Sequence, residues 1–194
     1  MGRRVAGVLV VCVGLLCGAG DQPEDPEPDW GAIRRDLDEG MARLAPLVGQ
    51  WRAEGTMGRA AQAAAAAPQR GTWSNRWLMG GKHLELTFDV LVGEGEAARP
   101  MQWLAIISYN PFRDQYESVW IGSGGYRFAE TGAFDDRGRL VLTALQDGPD
   151  LSNPTTNVSV FEFHDDGSIT VTDTQTDRDT PEPVVSFFVR LVRP

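Results

Sequence analysis

About ten short runs of β-type sequence follow one another from Gln50 to the end of the chain. They lie at residues 50–57, 71–79, 83–92, 101–109, 115–121, 126–134, 140–145, 157–163, 169–175 and 184–192. Tight-turn sequences such as Asn110-Pro111, Gly124-Gly125 and Asp165-Asp166-Gly167 separate the runs and favour antiparallel hairpins. Because no segment between the runs is long enough for a crossover helix, a parallel βαβ architecture is excluded. A chain of this kind can form an antiparallel sandwich or an up-and-down barrel.

Alternation of apolar and polar side chains within the runs favours the barrel. In the run that begins at His83, polar side chains share one face. The opposite face carries the apolar residues Leu84, Leu86, Phe88 and Val90. Closure of about ten strands encloses a lumen that side chains alone do not always fill. We therefore predict an all-β, antiparallel up-and-down barrel over residues 49–194, whose lumen is the site for any small molecule.

Residues 30–48, which precede the first strand, have the pattern of an amphipathic helix. Their apolar side chains recur at helical spacing, at Ile33, Leu37, Met41, Leu44 and Val48. Asp29 can cap the helix and Pro46 limits its end. Gly40 weakens its middle by up to about 1 kcal/mol relative to Ala. Such a helix needs an apolar surface to dock on, and we predict that it closes one end of the barrel.

Residues 1–19 have the pattern of a cleaved export signal. Two arginines precede an apolar stretch at 5–16 that is too short to span a bilayer. Small residues favour cleavage after Ala19, and cleavage after Gly20 is nearly as well supported. The alternative is a lipoprotein acylated on Cys17, although leucine directly before this cysteine is a poor match to the lipoprotein pattern. Both interpretations predict an exported protein, periplasmic or extracellular, without a membrane span.

The charge of the chain and the positions of its cysteines exclude some partners and some chemistry for the mature protein. Residues 20–29 are acidic and proline-rich without one apolar side chain, and we interpret them as a spacer. The formal net charge of −9 argues against capture of nucleic acid. Both cysteines, Cys12 and Cys17, lie within the predicted signal. A soluble mature form therefore has no disulfide and no thiolate nucleophile.

Gly49-Gln50-Trp51 places a Gly-x-Trp motif at the entry to the first strand. The motif resembles the opening of lipocalin-type barrels, in which the tryptophan packs at the closed end beneath an N-terminal helical segment. The resemblance implies that a basic residue of the last strand packs on Trp51, a cation–π contact worth about 0.5–2 kcal/mol. Arg193 and Arg190 are the candidates, and Arg193 lies in the better register.

A longer resemblance covers most of the predicted barrel. The stretch from Ser74 to Lys82, SNRWLMGGK, resembles the NRW…GG(R/K) signature of the bacterial domain-of-unknown-function family 1579. Later stretches follow the order of the same family, at Tyr109-Asn110, Gln115-Tyr116, Trp120-Ile121, Glu130-Thr131-Gly132 and Gly138-Arg139-Leu140. The resemblance implies a calycin-type barrel, related in fold to lipocalins and distantly to haem-binding nitrobindins. It implies no activity.

Residues suited to catalysis or metal binding are sparse. A haem site of the nitrobindin kind needs a histidine ligand, and the two histidines in the sequence, His83 and His164, are predicted at strand ends or facing solvent. The acidic groups, including the one formed by Asp173, Asp177, Asp179 and Glu182, lack calcium-loop spacing and are interpreted as turns and solvated edges. The sequence has no Gly-x-Ser-x-Gly elbow. We therefore predict no catalytic residue, no metal and no cofactor.

Aromatic and polar side chains assigned to the lumen are the candidates for a binding site. They are Trp73, Asn75, Trp77, Trp103, Tyr109, Trp120, Glu85 and Glu130. Such a set suits a small hydrophobic or amphipathic ligand, and non-enzymatic binding is the favoured function. The same aromatics also suit a filled barrel that acts as a structural or interaction module of the cell envelope. A third hypothesis, an isomerase or cyclase, needs two facing carboxylates such as Glu85 and Glu130.

Overall fold

The structure, a computed structural model, describes residues 27–58, 66–146, 155–176 and 182–194. The predicted export signal, with Cys17, and residues 20–26 of the predicted spacer lie outside the described residues. The described ranges contain the whole of the predicted helix and all ten predicted strands.

Ten antiparallel strands close into one barrel. In chain order they are β1 Gly49–Met57, β2 Ala67–Leu78, β3 His83–Val92, β4 Arg99–Asn110, β5 Gln115–Gly122, β6 Arg127–Phe134, β7 Leu140–Gln146, β8 Thr155–Phe163, β9 Ile169–Thr176 and β10 Val184–Val192. Each strand pairs with its neighbours in sequence, and β1 closes the sheet against β10. The predicted all-β, up-and-down barrel is therefore confirmed.

The helical segment before the barrel is divided into two pieces. The α-helix α1 spans Trp30–Ala42, and Asp29 caps it by accepting the amides of two first-turn residues. A 3₁₀ turn follows over Ala45–Leu47. The α-helix ends before the predicted limit because the ring of Pro46 would clash with the carbonyl four residues earlier. No helix within the described part of the chain is long and apolar enough to cross a membrane.

Side-chain hydrogen bonds join this helical segment to one end of the barrel. The carbonyl of Leu47 accepts two of them, from Trp51 Nε1 at 2.8 Å and from Asn75 Nδ2 at 2.8 Å. Met41 is buried on the same end, and its sulfur accepts the backbone amide of Tyr109 at 3.2 Å. We call this end, which α1 covers, the closed end, and the opposite end the open end.

The interior of the barrel has two layers of different chemistry. At the closed end it is filled by large apolar side chains, among them Trp51, Leu84, Ile107, Leu140, Phe161 and Leu191. Toward the open end, aromatic and polar side chains share the interior. In β10 the strand register shifts between Val185 and Phe187, so that the consecutive residues Ser186 and Phe187 are both buried.

Candidate functional site in the barrel interior

Five aromatic side chains from the consecutive strands β2 to β6 form what we call the aromatic wall of the interior. Its members are Trp73, Phe88, Trp103, Trp120 and Phe128. Trp73 stacks on Phe88 with ring centroids 4.3 Å apart, and Trp120 stacks on Phe128 at 5.9 Å. Alternation along the strands turns all five rings inward. Trp103 and Phe128 are half-buried, whereas the other three rings are buried.

Polar side chains from β5, β6, β8 and β9 form a second surface of the interior, which we call the polar cluster. Its members are Ser118, Glu130, Asn157, Ser159 and Asp173. Strand register brings them together, because Ser118 is directly opposite Glu130 and Ser159 is directly opposite Asp173. The aromatic wall and the polar cluster meet at Trp120, whose Nε1 donates to Glu130 at 2.6 Å.

Glu130 is the centre of the polar cluster and is only 1% exposed. Its Oε2 accepts hydrogen bonds from Trp120 and, at 3.0 Å, from Ser118. Its Oε1 accepts the hydroxyl of Ser159 at 2.5 Å. Burial raises the pKa of Glu130, and these donors oppose the rise because they stabilise the charged form.

Asp173 shares its hydrogen-bond partners with Glu130. Ser159 and Asn157 interact with both carboxyl groups. Burial, and secondly the charge of Glu130, raise the pKa of Asp173 to about 7. A hydroxyl carries one hydrogen, so Ser159 cannot donate to both carboxyls at once. While the Ser159 hydroxyl donates to Glu130, its hydrogen is not available to stabilise a charged Asp173, in keeping with the raised pKa of Asp173.

Three interior polar atoms near this region have no hydrogen-bond partner among the described residues. They are the acceptor oxygens Gln69 Oε1 and Asn157 Oδ1 and the donor Trp73 Nε1. Gln69 is anchored through its amide nitrogen, which donates to the carbonyls of Thr56 and Phe188 at 3.2 Å each. Leaving a buried polar atom unpaired costs about 1–3 kcal/mol. The interior therefore carries unmet hydrogen-bonding capacity beside the aromatic wall.

The structure distributes the eight sequence candidates over three places. Trp73, Trp103, Trp120 and Glu130 lie together in the aromatic wall and the polar cluster. Asn75 and Tyr109 lie at the closed end, where they contact the helical segment, and half-buried Trp77 packs against the core. These three residues serve the packing of the barrel and its helix.

Glu85 is on the outer face of β3, where it forms an ion pair with Arg76 at 2.7 Å. Its neighbours Leu84 and Leu86 are fully buried, so alternation directs the carboxylate outward. The assignment of Glu85 to the lumen is thus corrected. The carboxyl that shares the interior with Glu130 belongs to Asp173.

Sequence reasoning missed the polar cluster apart from Glu130. The prediction that Asp173 lies at a solvated edge, with the acidic residues that follow it, is wrong, because Asp173 faces the interior. The signal that identifies it is alternation in β9, where Ile169 and Val171 are buried and Asp173 is the next residue on the same face. The same alternation in β8 places Asn157, Ser159 and Phe161 inside.

The Gly-x-Trp motif lies at the closed end. The guanidinium of Arg193 covers the ring of Trp51 at 3.7 Å from its centroid, and its Nη1 donates to the carbonyl of Val48 at 2.9 Å. Arg190 is on the outer face and pairs with Asp166 at 2.8 Å. Of the two arginines, Arg193 makes the cation–π contact.

Both histidines contact hydroxyl groups. His83 Nδ1 lies 2.6 Å from Ser108 Oγ, and His164 Nε2 lies 3.1 Å from Thr170 Oγ1. Among the described residues, no three histidine, cysteine or acidic side chains come together as candidate metal ligands. A cavity of about 300 Å³ lies at the rim of the open end, beside Gln69 and Glu94. Another of about 310 Å³ lies between α1 and the closed end, beside Arg43 and Tyr116.

The fold and interior together define a class of protein: a closed, ten-stranded antiparallel barrel with one N-terminal helix and an amphipathic interior. The family described as "Protein of unknown function (DUF1579)" matches residues 39–186. The chain belongs to this family, and the family resemblance is confirmed. A comparison with curated proteins finds none that matches.

Proposed function

We propose that the barrel binds a small amphipathic ligand in its interior without transforming it. The observation that carries the proposal is the aromatic wall facing a polar cluster beside unpaired buried atoms. Apolar pockets with a few convergent polar groups are the usual form of small-molecule sites. A barrel that needed only to be filled would be more stable with apolar side chains in these positions, because burying unpaired polar atoms is costly.

The exposure of interior residues supports entry from the open end. Met101, Trp103, Phe128 and Asp173 point inward and yet are half-buried. All four lie in the half of the barrel away from α1. Their counterparts at the closed end, such as Ile107 and Leu140, are fully buried. A ligand can therefore enter over these residues and place its apolar part on the aromatic wall.

Intrinsic fluorescence tests this proposal, because three of the six tryptophans lie in the aromatic wall. A Trp30→Phe background removes an exposed tryptophan outside the barrel. Titration with a hydrophobic probe such as 1-naphthylmethanol is expected to give saturable quenching. Phe128→Ala is expected to weaken it, since this ring belongs to the wall. Phe112→Ala, at a 69% exposed position in the turn after β4, is the matched control and is expected to leave binding unchanged.

Two results would refute ligand binding in the interior. One is quenching that rises linearly with probe concentration and does not saturate. The other is equal weakening by Phe128→Ala and Phe112→Ala, which would place the probe on the outer surface.

A second candidate function, an interaction module, is favoured by an apolar patch on the outer surface. Ile106 on β4 and Val119 on β5 are exposed and directly opposite each other, and exposed Ile121 is opposite Leu104. Contiguous exposed aliphatic residues on a barrel commonly mark contact surfaces. Sedimentation of the wild type and an Ile106→Lys/Ile121→Lys variant at rising concentration tests self-association through this patch. Monomeric behaviour of both proteins would count against it.

The proposal includes export to the periplasm or the cell exterior by residues 1–19. The support is the basic and apolar pattern of this segment. Intact mass of the protein isolated from its native host distinguishes cleavage after Ala19 or Gly20 from acylation of Cys17. Cys17→Ala is expected to leave a cleaved soluble protein unchanged, whereas it would abolish anchoring of a lipoprotein. Full-length protein recovered from the cytoplasm would refute export.

A further inference from the structure

We infer that the interior selects ligands with a cationic amine head, which the carboxyl groups of Glu130 and Asp173 bind. This inference rests on the proposed ligand-binding function and names the ligand class. Ser159 joins the two carboxyls, because its hydroxyl donates to Glu130 at 2.5 Å and it lies directly opposite Asp173 in the strand register. Their ligand would place its amine against them and its apolar body on the aromatic wall.

The first argument is charge. Glu130 is buried and surrounded by donors that stabilise a carboxylate, namely Ser118, Trp120 and Ser159. None of the six ion pairs formed within the described residues includes Glu130 or Asp173. Those pairs all lie outside the interior. A buried negative charge is stable when a positive charge lies beside it, and an ammonium group supplies one.

The second argument is the balance of donors and acceptors. The polar cluster already directs its hydroxyl and indole donors at Glu130, while Asn157 Oδ1, in a residue 1% exposed, has no partner among the described residues. Gln69 Oε1 is a further buried acceptor without one. These two unpaired acceptors outnumber the one unpaired donor of this region, Trp73 Nε1. A primary ammonium carries three donors and no acceptor, which matches this excess.

The same balance disfavours other head groups. A ligand carboxylate would add a negative charge beside the two carboxyls and would find few free donors. A hydroxyl can donate one hydrogen bond but leaves the charge uncompensated. A divalent metal would find only two charged ligands here, because no third acidic, histidine or cysteine side chain joins Glu130 and Asp173 among the described residues. An amine satisfies both the charge and the hydrogen bonds.

Three probes with one apolar body separate these possibilities: 1-naphthylmethylamine, 1-naphthylmethanol and 1-naphthoate. Affinities for the full chain are measured near neutral pH by calorimetry and tryptophan quenching. The amine is expected to bind at least about tenfold more tightly than the alcohol, since charge-assisted hydrogen bonds are the stronger ones. The naphthoate is expected to bind most weakly.

Two aspartate-to-asparagine substitutions form a matched pair, one within the polar cluster and one on the outer face as the control. Asp173→Asn is expected to reduce the preference for amine over alcohol by about tenfold and to leave the alcohol affinity within about twofold. Asp89→Asn makes the same carboxyl-to-amide change on the outer face of β3, where Asp89 accepts a hydrogen bond from Gln102, and is expected to leave the preference unchanged. The alcohol affinity also reports whether each variant keeps a folded interior.

The outcomes separate the inference from the function on which it rests. Equal affinity of the wild type for amine and alcohol would overturn the amine selectivity and leave ligand binding intact. Retention of the amine preference in Asp173→Asn, or its loss in Asp89→Asn, would also overturn it. Failure of all three probes to bind saturably would overturn both proposals.

Discussion

Gly49 lies directly against the guanidinium of Arg193, and a Cβ atom at position 49 would collide with Arg193 Nη1. Gly49 also has a φ of 125°, which L side chains rarely adopt. Position 49 therefore requires glycine for two separate reasons. The first strand can begin beneath Arg193 only because Gly49 has no side chain.

We expect Gly49→Ala to lower the free energy of unfolding by about 2–4 kcal/mol, from backbone strain together with displacement of Arg193 from Trp51. Urea denaturation followed by tryptophan fluorescence measures the change. Gly80→Ala is the control, because Gly80 also has a positive φ, 67°, but a Cβ atom there meets nothing within 4 Å. Equal losses of unfolding free energy in the two variants would show that the collision with Arg193 does not contribute to the effect of Gly49→Ala.

The cation–π contact at the closed end leads to a second prediction. Arg193→Ala removes the stacking on Trp51 and the hydrogen bond to the Val48 carbonyl. We expect a loss of about 1–3 kcal/mol in the free energy of unfolding. Arg190→Ala, which breaks an exposed ion pair with Asp166, is expected to cost less than about 1 kcal/mol. A larger loss for Arg190→Ala would contradict this assignment.

Gly40 of α1 is a position where helix propensity and packing act in opposite directions. Alanine would gain up to about 1 kcal/mol in propensity. However, a Cβ atom at this position would collide with the ring of Tyr109. We expect the collision to dominate, so that Gly40→Ala lowers the free energy of unfolding by about 1–2 kcal/mol in thermal or urea denaturation.

A double-mutant cycle checks the origin of that loss. In a Tyr109→Leu background the ring is absent, and Gly40→Ala is expected to become neutral or stabilising. The coupling between the two substitutions measures the collision directly. Additive effects would show that Gly40 is required for a reason other than Tyr109.

The fold could be predicted from the sequence because each strand carries its own local signals. Alternation and turn residues identify ten strands, and antiparallel neighbours joined by short turns need no long-range information. The Asn110-Pro111 turn, for example, fixes the β4 to β5 hairpin, and its register then places Ile107 opposite Ser118. Alternation of apolar and polar side chains favours closure of β1 on β10 over a sandwich.

The site could be predicted only in part, because it depends on which polar residues meet across strands far apart in sequence. Glu130 and Asp173 lie on β6 and β9, and their proximity follows from the pairing of the two strands between them. Glu85 is polar like Glu130, but its alternation with Leu84 and Leu86 directs it outward. Polarity alone therefore did not distinguish an interior carboxyl from an exterior one.

The last prediction concerns the dependence of stability on pH. Burial and the charge of Glu130 raise the pKa of Asp173 to about 7, so the folded protein holds this proton more tightly than the unfolded chain. In the unfolded chain an aspartate loses its proton near about pH 4. Stability from this group is therefore full below about pH 4 and is lost as the pH rises toward about 7. This group therefore changes the free energy of unfolding by at most about 4 kcal/mol between these two pH values.

Asp173→Asn removes this titration, and we expect the free energy of unfolding to fall less between about pH 4 and 7 in the variant than in the wild type. Urea denaturation at several pH values measures both slopes. Asp135→Asn supplies a control of opposite sign, because hydrogen bonds from Arg139 lower the pKa of Asp135. Asp135 stabilises the fold above its ordinary pKa, and that contribution is lost on acidification. Parallel curves for the wild type and Asp173→Asn would mean that this carboxyl is as well solvated in the barrel as in the unfolded chain.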